Sequence, residues 1–221
     1  MRASGVGGIA RCSRVAENRL PAGSPPSTSA MSVPEVFQRI TAALHQAGIA
    51  YMLTGSFASA HYGAPRSTQD IDLVIEATAE QLRTFVQSLP SNQYYADLDA
   101  ALESHRRESL FNVIDLTTGW KIDLIFRKSR RFSQEEFGRR RLVHLQGLPL
   151  FVASAEDVIL AKLEWARLSK SERQIEDVAA ILNLRWEALE RSYLERWISE
   201  LGLKEQWRVA RRVAGLSEDS G

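Results

Sequence analysis

Residues 51–76 read YMLTGSFASAHYGAPRSTQDIDLVIE and contain the strongest structural pattern of the chain. An apolar run ends at Thr54, a helix-compatible segment begins at Gly55, and a second apolar run carries Asp70 and Asp72. Glycine and proline between the two runs indicate a turn. The pattern predicts a strand, a tight loop, a helix and a second, acidic strand.

The acidic strand presents two carboxylates on one face. Side chains alternate along a strand, so Asp70 and Asp72 share one face while Ile71 and Leu73 point to the other. Two neighbouring carboxylates repel each other unless a cation lies between them, and hard oxygen ligands suit Mg²⁺ or Mn²⁺. We therefore expect a divalent metal site on this strand.

The glycine–serine turn before the helix is suited to phosphate. Gly55 lacks a Cβ and permits close backbone approach to a ligand, and Ser56 stands where the predicted helix begins. The free N–H groups and the positive dipole end of a helix start bind anions. Neither Gly-Ser nor Asp-x-Asp is specific alone, but together they supply the minimum for metal-assisted transfer from a nucleotide.

Composition places limits on the class of protein. The 221 residues include 28 Lys and Arg against 27 Asp and Glu, and 44% are apolar, which is enough for a core of ordinary size but gives no broad attraction to nucleic acid. The single cysteine, Cys12, excludes a disulfide framework and a cysteine-based zinc site and fits a cytoplasmic location. No stretch approaches the roughly 18 apolar residues of a membrane span, so no membrane contact is expected.

The turn and the aspartate pair, with Arg66 and Thr68 just ahead of the pair, resemble the first motif of the DNA polymerase β-like nucleotidyltransferases. Within that superfamily the stretch is similar to the AbiEii-type enzymes, known as toxins of type IV toxin–antitoxin systems, whose pattern can be laid on residues 34–184. The resemblance implies an α/β (α+β) nucleotidyltransferase fold, with a mixed sheet flanked by helices and a C-terminal helical extension. It also implies Mg²⁺ or Mn²⁺ as cofactor, an NTP as substrate, and nucleotide contacts from Gly55, Ser56, Arg66 and Thr68.

A third carboxylate is expected from residues 110–126, LFNVIDLTTGWKIDLIF, where two β-rich runs joined around residues 117–119 predict a hairpin. Asp115 and Asp123 both qualify. Asp123 alternates with apolar residues, which aims it at the face of the first two aspartates if the sheet is continuous. The third acid of the resembled family follows an aromatic or basic residue, and Trp120 and its neighbouring lysine match that pattern. We favour Asp123, and Asp115 stays the alternative.

A later stretch, EDVILAKLEWARLSKSERQIEDVAAIL at residues 156–182, resembles the later motifs of the AbiEii-type enzymes. In that pattern a helical lysine is followed by an arginine and then an aspartate. The resemblance implies that Lys162 contacts the nucleotide phosphates and that Arg173 and Asp177 support the site. The glutamine after Arg173 departs from the Arg-Asp pair that the family often has, which weakens the match at that position.

Further elements are predicted from capping and periodicity. A short helix is expected near 98–103, a last strand at 149–153 and amphipathic helices over 185–214. Capping patterns predict additional helix starts at Ser32-x-x-Glu35, Thr78-x-x-Gln81, Ser154 and Ser171-x-x-Gln174.

Two basic clusters, within residues 127–131 and 139–141, allow two interpretations. These basic residues form either a solvent-exposed charged surface or a binding surface for the phosphates of an RNA or a triphosphate.

The chain divides into three segments in this interpretation. Residues 1–31 are rich in Gly, Ser, Pro and Ala and are predicted to be a disordered N-terminal extension, with Met31 as the expected natural start. Residues 32–153 are predicted to form the nucleotidyltransferase core. Residues 154–214 are predicted to form a C-terminal helical region that completes the site.

The sequence thus predicts a Mg²⁺-dependent enzyme that transfers a nucleoside monophosphate from an NTP to an RNA (tRNA) or protein acceptor. A toxin–antitoxin or phage-defence context is expected, with a cognate antitoxin or toxin as partner. The predicted catalytic residues are Asp70, Asp72, Asp123 and Lys162. The predicted metal ligands are the three aspartates. Two alternatives remain: an inactive binding or regulatory protein of the same fold, and an antitoxin that modifies a separate toxin.

Overall fold

The structure of the protein, a computed structural model, describes residues 33–216. The predictions for residues 1–31, for the start at Met31 and for the cap at Ser32 fall outside the described residues.

Within the described part of the chain, seven strands form one mixed sheet: β1 (Ala50–Leu53), β2 (Asp70–Glu76), β3 (Tyr94–Ala96), β4 (Leu110–Asp115), β5 (Lys121–Phe126), β6 (Arg141–Leu145) and β7 (Leu148–Val152). Their spatial order is β3-β4-β5-β2-β1-β7-β6. The β2–β5 and β1–β7 pairs are parallel, and the other neighbours are antiparallel. The predicted α/β class with a mixed sheet is confirmed.

Within residues 33–216, nine α-helices accompany the sheet. They are α1 (Val33–Gln46), α2 (Gly55–Tyr62), α3 (Ala79–Ser88), α4 (Leu98–Arg106), α5 (Arg131–Gly138), α6 (Ala155–Ser169), α7 (Glu172–Arg185), α8 (Arg191–Glu200) and α9 (Lys204–Val213). The last four helices follow the final strand, so the predicted C-terminal helical extension is present. The functional division at residue 153 stays a prediction.

Strand β2 has the predicted alternation. Ile71, Leu73 and Ile75 are fully buried, whereas Asp70 is exposed and Asp72 is half-buried. Burial of each large aliphatic side chain contributes roughly 1.5–3 kcal/mol, so a slip of one residue in register would be strongly unfavourable. The apolar face of β2 thereby fixes where the carboxylates point.

Several local predictions agree with the structure, and three elements were missed. The β4–β5 hairpin is confirmed, and the predicted short helix extends further, as α4, to Arg106. Strand β3, helix α5 and strand β6 were not predicted. Strand β3 has only three residues. Helix α5 has only eight residues, and β6 lies at the edge of the sheet with mostly exposed side chains, so neither carries a strong apolar period.

The predicted helix caps have different outcomes. The Thr78 capping box is present, and the Ser154 side chain accepts a hydrogen bond from the backbone N–H of Asp157. Helix α7 begins with Ser171 as its N-cap, as predicted, but the capping box is not formed, because the Ser171 side chain makes no capping hydrogen bond. Gln174, the residue that would complete that box, instead accepts a hydrogen bond from Lys162.

The aromatic residues of the C-terminal helices contribute to the core as expected. Tyr193 and Trp197 are buried, and Trp197 contacts the ring of Phe132 edge-on at 5.1 Å between centroids. The rings of Trp186 and Trp207 stack at 6.3 Å. Across residues 33–216, none of the helices combines the length and the apolar character that a membrane crossing requires.

Candidate active site

Three aspartates lie on one face of the sheet. Strands β2 and β5 are parallel neighbours, and their register places Asp72 directly beside Asp123 and Asp70 beside Lys121. Paired residues on neighbouring strands project to the same face, at a strand separation of roughly 4.8 Å. The structure therefore brings together the three acids that the sequence singled out.

The alternative third carboxylate, Asp115, lies on the other face of the sheet from Asp70, Asp72 and Asp123. Asp115 alternates with Asn112 and Ile114 on β4, so it points to the opposite face of the sheet from Asp123. It is fully buried, forms an ion pair with Arg39, and accepts a hydrogen bond from the backbone N–H of Thr117 at 2.9 Å. Asp115 thus stabilises the hairpin turn and its attachment to α1.

The start of α2 lies directly against the Asp72 carboxylate. Gly55 adopts φ +63°, and the backbone N–H of Thr54 donates to the carbonyl of Asp72 at 2.9 Å. A Cβ at position 55 would lie 2.6 Å from Cγ of Asp72 and closer still to Oδ2. Glycine is therefore required here both for its backbone conformation and for the space next to the acid.

A Gly55→Ala variant is expected to lose roughly 2 kcal/mol or more of unfolding free energy and to displace the Asp72 side chain. Gly119→Ala is the matched control, since Gly119 also has a positive φ but an added Cβ there meets nothing within 4 Å. Urea denaturation of both variants measures the difference. Equal losses at the two positions would show that contact with Asp72 plays no part.

The carboxylates are electrostatically strained. Burial raises the pKa of Asp72, and the neighbouring Asp123 and Asp70 raise it further, against the opposing effect of Lys121 and Lys162. Lys121 Nζ lies 3.0 Å from Asp123 Oδ2 and 3.8 Å from Asp70 Oδ1. This ammonium group supplies the positive charge that three close acids require.

The acids as placed do not form a closed set of metal ligands. In residues 33–216 no group of three or more His, Cys, Asp or Glu side chains is arranged to hold a metal ion. Asp123 is further held by Asn112, whose side-chain amide donates to it. The donor chemistry and the mutual repulsion at Asp72 nevertheless suit a hard cation in the place of the Lys121 ammonium.

A second group of polar residues joins the helix start to α6 and α7. Arg66 Nε donates to the Ser56 hydroxyl at 2.9 Å, and Arg66 Nη1 lies 3.7 Å from Asp177 Oδ2. Lys162 Nζ donates to the same Asp177 oxygen at 2.6 Å. The structure therefore connects four of the predicted site residues in one network.

Lys162 is buried rather than extended into solvent. Only 4% of the residue is exposed, and burial lowers its pKa while the ion pair with Asp177 opposes that change. Its charge is among those that lower the pKa of Asp72, so the two groups influence each other across the site. A buried lysine that is held by one acid and faces others is suited to bind a phosphate group.

A cavity of about 670 Å³ opens above the acid face. Asp70, Asp72 and Asp123 line it together with the phosphate-loop residues and Lys162. Thr68 also lines it, and its hydroxyl accepts from the backbone N–H of Asp70 at 3.2 Å. Arg173 lies on an exposed part of the wall. Every predicted site residue except Asp177 thus faces one cavity, and Asp177 contacts the cavity through Lys162 and Arg66.

The basic clusters match neither of the two simple interpretations. Arg127 pairs with Glu76, Arg130 with Glu164, and Arg139 with Glu190. Of the first cluster, Arg127, Lys128 and Arg130 line the cavity. Most of these cations are therefore engaged in ion pairs within the protein, and their contribution to a phosphate site is smaller than their number suggests.

Sequence reasoning gave no role to Lys121 or Asn112, which contact Asp123, or to Glu136, which lines the far end of the cavity. The signal for Lys121 was its position two residues before Asp123, on the same strand face. Asn112 could be placed only once the β4–β5 register was known, and nothing in the sequence marks Glu136 as buried.

Comparisons with known proteins give only distant structural likenesses. No family model and no curated protein match the chain. The antibiotic-resistance factor ANT(2″)-Ia is 14% identical over 77% of this chain and 91% of its own, with a TM-score of 0.49. An antigenic nucleotidyltransferase-like protein from Paracoccidioides brasiliensis is 16% identical over 82% and 94%, with a TM-score of 0.45. JHP933 from Helicobacter pylori is 16% identical over 88% and 96%, with a TM-score of 0.36. At this low sequence identity the similarity does not identify an activity, which has to be inferred from the site itself.

Proposed function

We propose that this protein is a metal-dependent nucleotidyltransferase of the DNA polymerase β-like superfamily, similar to the AbiEii-type enzymes. It transfers a nucleoside monophosphate from an NTP to an acceptor hydroxyl, and pyrophosphate leaves. The observation that carries the proposal is the register of β2 and β5, which sets Asp72 beside Asp123 beneath the start of α2. A carboxylate group next to an anion-binding helix start is the arrangement that this reaction needs.

Asp70, Asp72 and Asp123 would hold Mg²⁺ or Mn²⁺, which supplies charge neutralisation for the triphosphate and lowers the pKa of the acceptor hydroxyl. All three donors are carboxylates on one sheet face, and the Lys121 ammonium marks where positive charge is favoured. The group of donors fits a hard divalent ion once Lys121 moves away.

The phosphates of the NTP are assigned to the other side of the cavity. The N-terminal N–H groups of α2 and the Ser56 hydroxyl would bind the β- and γ-phosphates, with Arg66 orienting that hydroxyl. Lys162 would neutralise charge as pyrophosphate separates. Thr68 positions the backbone of Asp70, and Arg173 adds positive charge at the cavity mouth.

The chemical step needs few groups of the protein. The acceptor oxygen attacks the α-phosphorus while the bond between that phosphorus and the β-bridging oxygen breaks, and pyrophosphate leaves with the bonding pair. Asp123 accepts the proton of the acceptor hydroxyl. Asn112 donates to Asp123 and fixes its orientation on the sheet. Positioning and charge stabilisation supply most of the rate enhancement.

The biological setting is proposed on the family resemblance alone. An RNA (tRNA) or protein acceptor, a toxin–antitoxin or phage-defence role and a cognate partner protein follow from the similarity to AbiEii-type enzymes.

The proposed reaction is tested by incubating the protein with α-labelled NTPs, Mg²⁺ and cell extract. Wild type is expected to transfer label to a macromolecule or a small molecule, and Asp123→Asn to transfer at least 100-fold less. The exposed Asp99, on α4, provides a matched Asp99→Asn control that should retain full activity. NTP binding without transfer to any acceptor would instead favour an inactive binding protein.

Lys121→Met is expected to tighten Mn²⁺ binding three- to tenfold. The Lys121 ammonium competes with the ion for Asp70 and Asp123, and its half-exposed side chain can be removed without leaving a buried void. Free Mn²⁺ measured by electron paramagnetic resonance gives the affinity. Lys128→Met, which removes another cation from the cavity wall, should change the affinity less than twofold. Weaker binding by Lys121→Met would mean that Lys121 holds the acids in place for the metal.

A further inference from the structure

Glu136 is a buried acid that no other residue of the described chain satisfies. It lies on α5, only 7% exposed, and its side chain lines the cavity. Among residues 33–216 no group donates a hydrogen bond to its carboxyl, and burial raises the pKa of that carboxyl to about 8. A polar group that is largely removed from water and has no hydrogen-bond partner is unfavourable. The cavity therefore contains an acid that lacks a donor.

The nearest cations are unsuited to fill that role. Arg130 Nη1 and Nη2 donate to Glu164 at 2.7 and 2.6 Å, and Arg130 Nε donates to the Ser133 hydroxyl at 3.0 Å. These contacts use three of the five N–H groups of that guanidinium, and none of the others donates to Glu136 within the described residues. Lys128, the other nearby cation, is exposed. A donor for Glu136 has to come from a molecule that enters the cavity.

Glu136 belongs to a different end of the cavity from the three aspartates. Beyond Asp72 and Asp123, the next inward-facing positions on the two strands are the apolar Val74 and Ile125, roughly 6.6 Å further along. The charged groups around Glu136 come from the segment before α5 and from α6: Lys128, Arg130, Asp157 and Glu164. Those around Asp72 are Asp70, Lys121, Asp123 and Lys162. The apolar side chains of Val74 and Ile125 therefore separate the polar residues around Glu136 from those around Asp72.

We propose that the α5 end of the cavity is an acceptor subsite that binds a protonated primary amine through Glu136. An ammonium group brings several N–H donors and the positive charge that an ionised, buried carboxylate requires, whereas a hydroxyl brings a donor alone. The amine is either that of a free small molecule or that of a lysine side chain of a protein. The assignment of this end to the acceptor rests on the proposed nucleotidyl transfer; the binding of the amine does not.

Calorimetric titration of the full chain with putrescine and with Nα-acetyl-lysine amide, without NTP, tests the subsite. At pH 7 wild type is expected to bind at least one of the two, and the amine that binds more tightly identifies the source. Binding ionises Glu136, so nearly one proton should be released per amine, read from the heats in two buffers of different ionisation enthalpy. That release should disappear above about pH 9, where Glu136 is already ionised.

Glu136→Gln is expected to weaken amine binding at least tenfold and to abolish the proton release. Glu195→Gln, at an exposed position on α8, is the matched control and should bind within twofold of wild type. Binding of neither amine by wild type, equal binding by Glu136→Gln, or binding without proton release at pH 7 would each overturn the proposal. If wild type binds the amine with proton release but transfers no nucleotide to any acceptor, the proposed function is overturned and this subsite remains.

The free energy of unfolding, measured as a function of pH, shows whether Glu136→Gln folds and whether the wild-type carboxyl is buried in solution. A carboxyl whose pKa is higher in the folded protein than in the unfolded chain favours folding most below pH 4.5, and this contribution is lost as the pH rises to about 8. Wild type should therefore lose stability between those values relative to Glu136→Gln. Identical pH profiles for the two proteins would show that the acid is not buried, and the subsite would fail with it.

Discussion

Asp72→Asn is expected to abolish nucleotidyl transfer and, at the same time, to make the protein more stable. Asp72 is the acid nearest to Gly55 and lies beside Asp123, so its loss removes the central carboxylate of the proposed metal site. A loss of at least 1,000-fold in transfer is expected, on the scale of removing a group that positions and neutralises the reacting phosphate.

The stability gain follows from the electrostatics of the free protein. Burial and the two neighbouring acids raise the pKa of Asp72, so ionisation of this carboxyl costs folding free energy. The asparagine side chain has nearly the same shape and no charge. We expect a gain on the order of 1 kcal/mol, or roughly 2–4 °C in Tm for a chain of this size.

Thermal unfolding at pH 7 and transfer of labelled nucleotide measure the two effects in one preparation. Asp99→Asn should leave both unchanged, because Asp99 is exposed and does not line the cavity. An Asp72→Asn variant that is less stable than wild type would indicate that Lys121 and Lys162 already compensate the repulsion. A variant that keeps transfer would remove the basis for the proposed reaction.

Lys162→Met is expected to have the largest effect on stability. It leaves Asp177, which is 8% exposed, with Arg66 at 3.7 Å as its nearest remaining cation. Removing one partner of a buried ion pair costs about 3–5 kcal/mol, and we expect about 3 kcal/mol here because Arg66 can move closer. Loss of positive charge near the phosphates should also lower transfer by at least 100-fold.

A double-mutant cycle separates these effects. Combining Lys162→Met with Asp177→Asn removes the orphaned charge and should recover at least half of the lost stability without restoring transfer. Lys204→Met, at an exposed position on α9, is the matched control and should alter neither quantity. Recovery of transfer in the double variant would show that Lys162 acts only by holding the helices together.

The parts of the site that could be predicted depend on local patterns. Strand alternation alone places Asp70 and Asp72 on one face, and the residues around Gly55 predict the helix start that lies against them. These features require only neighbours in sequence. Asp123 lies on the same face, because the apolar residues on both sides of it fix its direction in the same way. Its role as the third carboxylate stays a prediction.

The parts that could not be predicted depend on pairing between distant segments. The contact of Lys121 with Asp70 exists only because β5 pairs with β2 in parallel, across 51 residues of sequence. The burial of Glu136 depends on the tertiary packing of α5, whose Phe132 contacts Trp197 of α8. Eight helical residues with two acids resemble a surface helix. Gln174 matched a capping pattern, and a tertiary contact with Lys162 took precedence.

The order of the segments along the chain has a consequence for synthesis. The residues that line the cavity lie within 54–74, 110–136 and 158–174. Asp177, which accepts a hydrogen bond from the cavity residue Lys162, lies later still in the sequence. A ribosome-bound polypeptide that has exposed all three aspartates still lacks α6 and α7. The proposed nucleotidyl transfer therefore has to wait until α6 and α7 have left the exit tunnel and packed against the sheet.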